Sequence, residues 1–225
     1  MVTHISVRQT QFSYFDQALG GPAWKGRKIL DFGGNVGGFL VGAGNHIEHN
    51  DYWCLDVTEA AIEQGHRDFP QAHFVFYNRY SSYFNPNGVS NLPVPALGVG
   101  FDIILAFSVF THTQRDEMIE LVEQLRRMLV PQGVLAFTFF DQRDDELLAD
   151  CKLPSGAYAH WCLVHNNRLY LEPENELCEE EPWDKPGEGY CSYFTADYLT
   201  SLFPGATVPP FDPDSQHVCI LRGTS

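Results

Sequence analysis

Lys28-Ile-Leu-Asp-Phe-Gly-Gly-Asn-Val-Gly-Gly-Phe-Leu40 is an apolar run that ends on an acidic residue and passes into a glycine-rich turn. Ile29, Leu30 and Phe32 are the β-formers of a buried strand. Gly33, Gly34, Gly37 and Gly38 let the backbone take positive φ and lie bare against a ligand. The stretch therefore reads as strand, tight loop and helix start. Free N–H groups at the start of that helix are expected to face the crevice beyond the strand's carboxyl end.

Three nucleotide-type ligands use such a turn, and the residues between the glycines separate them. Gly33 and Gly38 have the spacing of a phosphate-binding loop, but Phe39 and Leu40 follow where Lys and Ser/Thr are required. No side chain is there to hold a triphosphate or its magnesium. A dinucleotide fold asks for G-x-G-x-x-G; counting from Gly33 puts Asn35 at the second glycine and Gly38 at the third, a partial match. S-adenosylmethionine carries no phosphate, and its methionine ammonium wants a carboxylate near the turn. Asp31 stands two residues before Gly33, at the strand end.

On these residues the chain resembles the class I S-adenosylmethionine-dependent methyltransferases of small-molecule type, whose first motif runs hydrophobic-Asp/Glu-x-Gly-x-Gly-x-Gly. Asp31, Gly33 and Gly37 match, and Asn35 replaces the middle glycine. Asn tolerates left-handed backbone better than most residues. The resemblance implies Asp31 toward the ammonium, with Gly33, Asn35 and Gly37 against the cofactor.

At 225 residues the chain reads as a single domain, 1–225, with a core large enough for an α/β fold. The divisions expected within it are a cofactor-binding core at 27–141, a substrate-pocket insert at 142–194 and closing strands at 206–222. A formal charge of −15 with 14 Lys+Arg weighs against nucleic acid as a partner, because phosphate binding depends on cationic side chains. Six cysteines form no C-x-x-C pair and read as scattered thiols of a reducing compartment. No apolar run reaches membrane-spanning length, and Met1 to Arg8 lacks a signal peptide's apolar centre. The expectation is a cytoplasmic enzyme with no membrane partner.

Thr10 to Leu19 places Phe12, Phe15 and Leu19 at helical spacing, stopped by Gly20-Gly21-Pro22. Tyr14 or Phe15 is a candidate to touch the cofactor; packing on the sheet is the alternative. Phe39 to Ile47 is expected as a helix weakened by Gly42 and Gly44, at about 1 kcal/mol each. His46 and His49 have a metal-like spacing but no further ligand cluster, and read as surface residues.

Asp51 to Asp56 reads as the second strand, with Thr58 capping the helix from Glu59. Asp56 lies 23 residues past Gly33, where both dinucleotide and methyltransferase folds use an acid to accept from ribose hydroxyls. Val57 would lie near the adenine face. His73 to Tyr77 is the third strand, and Asn78 past its end is implied as a partner of the adenine amino group. Arg79 to Gly100 has no sustained period and is assigned to the substrate rim. Asn85-Pro86-Asn87 is an incomplete likeness to the Asn-Pro-Pro-aromatic signature and carries no weight.

Phe101 to Phe107 is a near-continuous apolar run, the mark of a parallel strand buried on both faces. Ser108-Val-Phe-Thr-His-Thr113 then closely resembles the fourth motif of the same family, which implies backbone near Ala106, Phe107 and Ser108 beside the sulfonium. Thr113-Gln-Arg-Asp116 has a capping-box pattern; Met118, Val122, Leu125 and Leu129 make one apolar stripe. Pro131-Gln-Gly133 is expected to end that helix, and Val134 to Phe140 to be the fifth strand.

Five strands with helical connections imply an α/β fold, a Rossmann-like, doubly wound and mostly parallel sheet with helices on both faces; the resemblance implies seven strands. Asp31, Asp56, Asn78, Ser108 and Asp141 all fall at carboxyl ends, where such sheets bind ligands. Beyond Asp141, His160–Val164 and Arg168–Leu171 look like a hairpin, with Trp161, Tyr170 and Trp183 as candidate pocket walls or as ordinary packing. Glu179-Glu180-Glu181 reads as a solvated loop. Thr195 is expected to cap a helix through Leu202, and His217–Leu221 to be a closing strand.

Methyl transfer from a sulfonium is an in-line displacement, so catalysis is mainly positioning. Phe107 and Phe110 are the candidate aromatic walls for the cation. If the acceptor is a hydroxyl, His112 is the first candidate base and Asp141 the second. No metal site is expected. The reading is methyl transfer to a small-molecule acceptor, O- or N-methylation, with a homodimer left open. The rivals are a protein that binds the cofactor without transfer, and a nicotinamide-dependent oxidoreductase.

Overall fold

The computed structural model describes residues 3–141, 162–165, 168–171, 191–210 and 216–223. Helix α1 (Thr3–Ala18) precedes β1 (Ile29–Phe32), α2 (Gly38–Ala43), β2 (Tyr52–Asp56), α3 (Glu59–Asp68) and β3 (His73–Phe76). Then come β4 (Phe101–Ala106), α4 (Arg115–Arg126), β5 (Leu129–Asp141), the pair β6 (Cys162–His165) and β7 (Arg168–Leu171), β8 (Cys191–Phe194), α5 (Ala196–Leu202) and β9 (His217–Arg222).

Strands β3, β2, β1, β4 and β5 lie side by side in that order and all parallel, which places the crossover between β1 and β4 at the centre of the sheet. Strand β9 closes the sheet antiparallel to β5. The mostly parallel, doubly wound layout is the one expected. Among the described residues the strands number nine rather than seven. The added pairing comes from the far end of β5, where Phe140 and Asp141 pair with Tyr193 and Phe194 of β8, and β8 carries the antiparallel hairpin β6–β7.

Side chains of the inner strands alternate between two apolar cores, as period-2 geometry requires. Leu30, Phe32, Trp53, Leu55, Ile104, Ala106, Leu135 and Phe137 face one core with Met118, Leu121, Val122 and Leu125 of α4. Ile29, Tyr52, Cys54, Ile103, Leu105 and Ala136 face the other, with Phe12 and Phe15 of α1, Phe39 and Leu40 of α2 and Ile62 of α3. By this alternation Asp31 shares the face of Ile29, Tyr52 and Cys54.

Several local expectations are corrected. Helix α2 stops at Ala43 rather than reaching Ile47, because Gly44 turns to φ +53° and two short 3₁₀ turns follow. The capping box at Thr113 does not form: Gln114 is the N-cap without a side-chain bond, and Thr113 Oγ1 instead donates to Phe110 O. Leu129 belongs to β5, not to the helix stripe. Pro131-Gln132-Gly133 lies inside β5 as an irregularity in its pairing with β4, with Gln132 at φ +65°. Thr58 precedes α3 as expected, yet its side chain makes no cap bond. Thr195 does cap α5, its hydroxyl accepting from Tyr198 N at 3.2 Å. Trp161, Trp183, Glu179-Glu180-Glu181 and the Tyr170 side chain lie outside what is described.

Phe74 of β3 packs on α3 at Gly65, where a Cβ would come within 2.1 Å of the ring. Gly65→Ala would gain about 1 kcal/mol of helix propensity. Overpacking against a buried ring costs about 1–3 kcal/mol. The variant is expected to melt lower than the wild type in a thermal scan; an equal or higher melting temperature would contradict this account of the α3–β3 contact.

Candidate active site

Every second residue of the glycine turn is left-handed: Gly33 at φ +77°, Asn35 at φ +51° and Gly37 at φ +81°. Asn35 thus does the work of the missing glycine, the conformation Asn accepts at least cost. Its own carboxamide Oδ1 accepts from Val36 N at 2.9 Å, which holds that geometry. The turn is seated by Gly33 N, which donates to Leu55 O of β2 at 2.7 Å.

Asp56, at the carboxyl end of β2, joins that turn to the start of α3. One carboxylate oxygen accepts from Asn35 N at 2.8 Å and the other from Thr58 N at 2.7 Å. Burial raises its pKa, and the hydrogen bonds it accepts from the backbone of Thr58, Asn35 and Val57 and from the Thr58 side chain hold it back toward the charged form.

A cavity of about 320 Å³ opens at the carboxyl ends of β1, β2 and β4. It brings together seven of the expected site residues: Gly33, Asn35, Asp56, Val57, Phe107, Ser108 and His112. Phe107 is braced from outside by Tyr14 and Phe15 of α1, whose rings meet it edge-on at 5.9 and 6.1 Å. So α1 acts on the cavity through Phe107, and its own lining residue is Gln11.

Ser108 sits in the left-handed region at φ +56°, a conformation that costs a non-glycine residue roughly 1–3 kcal/mol and persists only when its surroundings impose it. Those surroundings are visible. Ser108 N donates to Thr138 Oγ1 at 2.7 Å, its hydroxyl bonds Thr111 Oγ1 at 2.9 Å, and Gln216 Nε2 donates to it at 3.3 Å. His112 follows on the 3₁₀ turn Phe110–His112, and its ring meets that of Phe84 edge-on at 5.8 Å.

Four expected site residues stand elsewhere. Asp31 is buried on the other face of the sheet, accepts from Tyr52 Oη at 2.5 Å and does not line the cavity. Strand alternation is the reason. Gly37 packs against Phe74 rather than the cavity. Asn78 is exposed and accepts from the Asn85 carboxamide at 3.1 Å. Asp141 is buried at the end of β5 and is not among the lining residues. Phe110, expected as a wall, is fully buried against Phe137.

Sequence reading missed the segment after β3: Tyr77, Arg79, Tyr80, Ser81, Ser82 and Phe84 all line the cavity. It also missed Glu117 of α4. The assignment of Arg79–Gly100 to a rim was the one signal that pointed there.

The cavity's chemistry separates the candidate ligands. Arg79 is the sole Lys or Arg among the described lining residues, and Glu117 and Glu120 already engage it at 2.9 and 3.0 Å. A pyrophosphate there would depend on backbone N–H groups alone. A phosphate-free, positively charged ligand with ribose hydroxyls suits the carboxylate of Asp56 and the ring of Phe107.

Burial pushes the Asp31 carboxyl up to about 7, against the Tyr52 hydrogen bond that lowers it and with the charge of Asp56 adding to the rise. A carboxyl whose pKa is raised on folding favours the fold while protonated, so this contribution is lost as pH climbs from the unfolded value to about 7. Asp31→Asn removes that titration. Melting scans at pH 5.5 and pH 8 should show the wild type losing more stability than the variant, at about 2–4 °C per kcal/mol. Parallel losses would contradict the assignment.

Residues 30–135 match the family model described as a methyltransferase domain. Among solved structures, an amino pentose methyltransferase from Micromonospora echinaspora, with S-adenosylmethionine bound, is similar at 14% identity and TM-score 0.58, over 98% of this chain and 92% of that one. The CcbJ methyltransferase from Streptomyces caelestis is similar at 13% identity and TM-score 0.58, over 97% and 90%. Magnesium protoporphyrin IX methyltransferase from Synechocystis PCC 6803, also with S-adenosylmethionine bound, gives 10% identity and TM-score 0.54, over 99% and 81%. At these identities the structural likeness is one of fold. No helix among the described residues is long and apolar enough to cross a membrane. The sequence match over residues 30–135 is to a methyltransferase domain, and the chain shares the fold of these solved methyltransferases.

Proposed function

We propose that the chain transfers a methyl group from S-adenosylmethionine to a small-molecule acceptor, acting as a cytoplasmic enzyme. The observation that supports this most is Asp56, a carboxylate fixed by Asn35 N and Thr58 N that lines the cavity beside Gly33, Asn35 and Val57. When bound, the cofactor supplies a methyl carbon on a sulfonium, open to in-line attack. Asp56 would accept from the ribose hydroxyls, and Val57 would lie against the adenine. The backbone of Gly33 and Asn35 would border the methionine arm, with Phe107 offering its ring to the positive charge.

Asp31 keeps no direct role toward the ammonium in this reading. Its hydrogen bond with Tyr52 and its contact beneath Gly34, whose Cβ would lie 2.5 Å from the carboxylate, make it a support under the turn. The acceptor must be held about 3 Å from the methyl carbon with water excluded. His112 is the lining residue that can take a proton from a hydroxyl or an ammonium of the acceptor, and O- and N-methylation are both compatible with it.

The test is a calorimetric titration with S-adenosylhomocysteine, together with mass detection of methylated products from a metabolite panel. Asp56→Asn keeps the shape of the side chain but replaces one acceptor oxygen by a donor. It is expected to weaken binding at least tenfold, about 1.4 kcal/mol. Unchanged affinity in that variant would contradict the role given to Asp56. Binding with no methylated product would favour a protein that holds the cofactor without transfer.

A further inference from the structure

The segment between β3 and β4, residues 77–100, contains no helix and no named strand, yet it supplies one wall of the cavity. Loops of this length need anchoring to hold one shape. Burial does not provide it at the tip: Tyr83 and Phe84 are 61% and 48% exposed, and Val89 is 49% exposed. The tip is a polar construction. Ser81 and Asn85 exchange backbone bonds of 3.1 and 3.0 Å, and Asn85 Nδ2 donates to Arg79 O at 3.1 Å.

Arg79 is the residue through which that tip meets the rest of the fold. Its side chain is only 4% exposed. Nε donates to Glu117 at 2.9 Å, one terminal nitrogen to Leu92 O at 2.8 Å, and the other to Glu120 at 3.0 Å. Glu120 in turn accepts from Gln124 Nε2 at 2.7 Å, and Gln124 Oε1 accepts from Val94 N at 2.7 Å. Glu117, Glu120 and Gln124 are spaced three and four apart, so they form one polar stripe of α4 beside the apolar stripe that faces the sheet. Burial alone would lower the guanidinium pKa, but the hydrogen bonds and charges of Glu120, Tyr77 and Glu117 raise it above the ordinary value, so Arg79 stays charged.

We infer that Arg79 is a positioning residue for the cofactor: it clamps the Tyr80–Phe84 wall to α4 and keeps Glu117 neutralised at the cavity's edge. The inference rests on the reading that the cavity takes S-adenosylmethionine. The guanidinium fork suits the task because it reaches two carboxylates and a carbonyl at once, which an ammonium cannot do in one geometry. Arg79 acts without touching the cofactor, since Nε and both terminal nitrogens are already engaged.

The clamp is tested by calorimetry with S-adenosylhomocysteine on the wild type, Arg79→Met and Arg79→Lys, well below each protein's melting temperature measured without ligand. Arg79→Met should bind at least tenfold more weakly, and Arg79→Lys should recover part of the loss because it restores the charge without the fork. Equal affinity in the wild type and Arg79→Met, whatever the change in melting temperature, overturns the clamp, since a purely structural role would move only the latter. Should Arg79→Met fail to fold, Glu117→Gln and Arg79→Lys carry the same comparison: weaker binding in both supports the clamp and wild-type affinity in both overturns it. A wild type that binds no S-adenosylhomocysteine overturns the cofactor reading and the clamp with it; a wild type that binds it no more tightly than Arg79→Met overturns only the clamp.

Discussion

A single carboxylate, Asp56, ties the glycine turn to the loop that opens α3. The glycine turn reaches it through Asn35 N and the start of α3 through Thr58 N. Hydrogen bonds to a charged acceptor contribute about 1.5–3 kcal/mol each, more than a neutral pair, because the acceptor's charge is concentrated on two oxygens. The left-handed backbone at Gly33, Asn35 and Gly37 presents Asn35 N to that carboxylate as β1 continues into α2. Turn, carboxylate and cavity mouth form one mechanical unit.

Around that unit the sheet divides its labour by face. Phe32, Leu55, Tyr77 and Leu121, which line the cavity, belong to the core shared with α4. Asp31, Tyr52 and Cys54 belong to the opposite face, with α1 and α2 behind them. There the Tyr52 hydroxyl and the Cys54 thiol are also held in their neutral forms, chiefly by burial. The neutral surroundings explain why a carboxyl group can remain so deep in the protein: it is sheltered as a protonated or hydrogen-bonded group rather than paired with a cation. The cavity's far wall is kept by the opposite device, a buried Arg79 compensated by two glutamates. Removing a glutamate from such a cluster is costly because the guanidinium stays buried.

The sheet was legible in the sequence because its inner strands are short apolar runs ended by polar residues, and Asp56 and Ser108, which follow from that rule, line the cavity. Asp31 did not, although its fate was encoded: in a strand, neighbours two apart share a face, and Ile29 is plainly core. A carboxyl-end position is common to both faces of the sheet, and side-chain parity decides between them. The wall after β3 was hidden for a different reason. Arg79 finds its partners on α4, some forty residues on, and no local pattern announces a buried ion network across that separation. Helix ends suffered from propensity reasoning at Thr113, whose hydroxyl turned back to Phe110 and whose carbonyl accepts from Ser192 at 2.6 Å.

The cavity's role depends on its preference for a cationic, phosphate-free nucleoside over a dinucleotide. A thermal-shift titration of the intact wild-type chain with S-adenosylmethionine and, separately, with NAD measures that preference directly. The account predicts a melting temperature that rises with S-adenosylmethionine and stays flat with NAD. A rise with NAD and none with S-adenosylmethionine would contradict it.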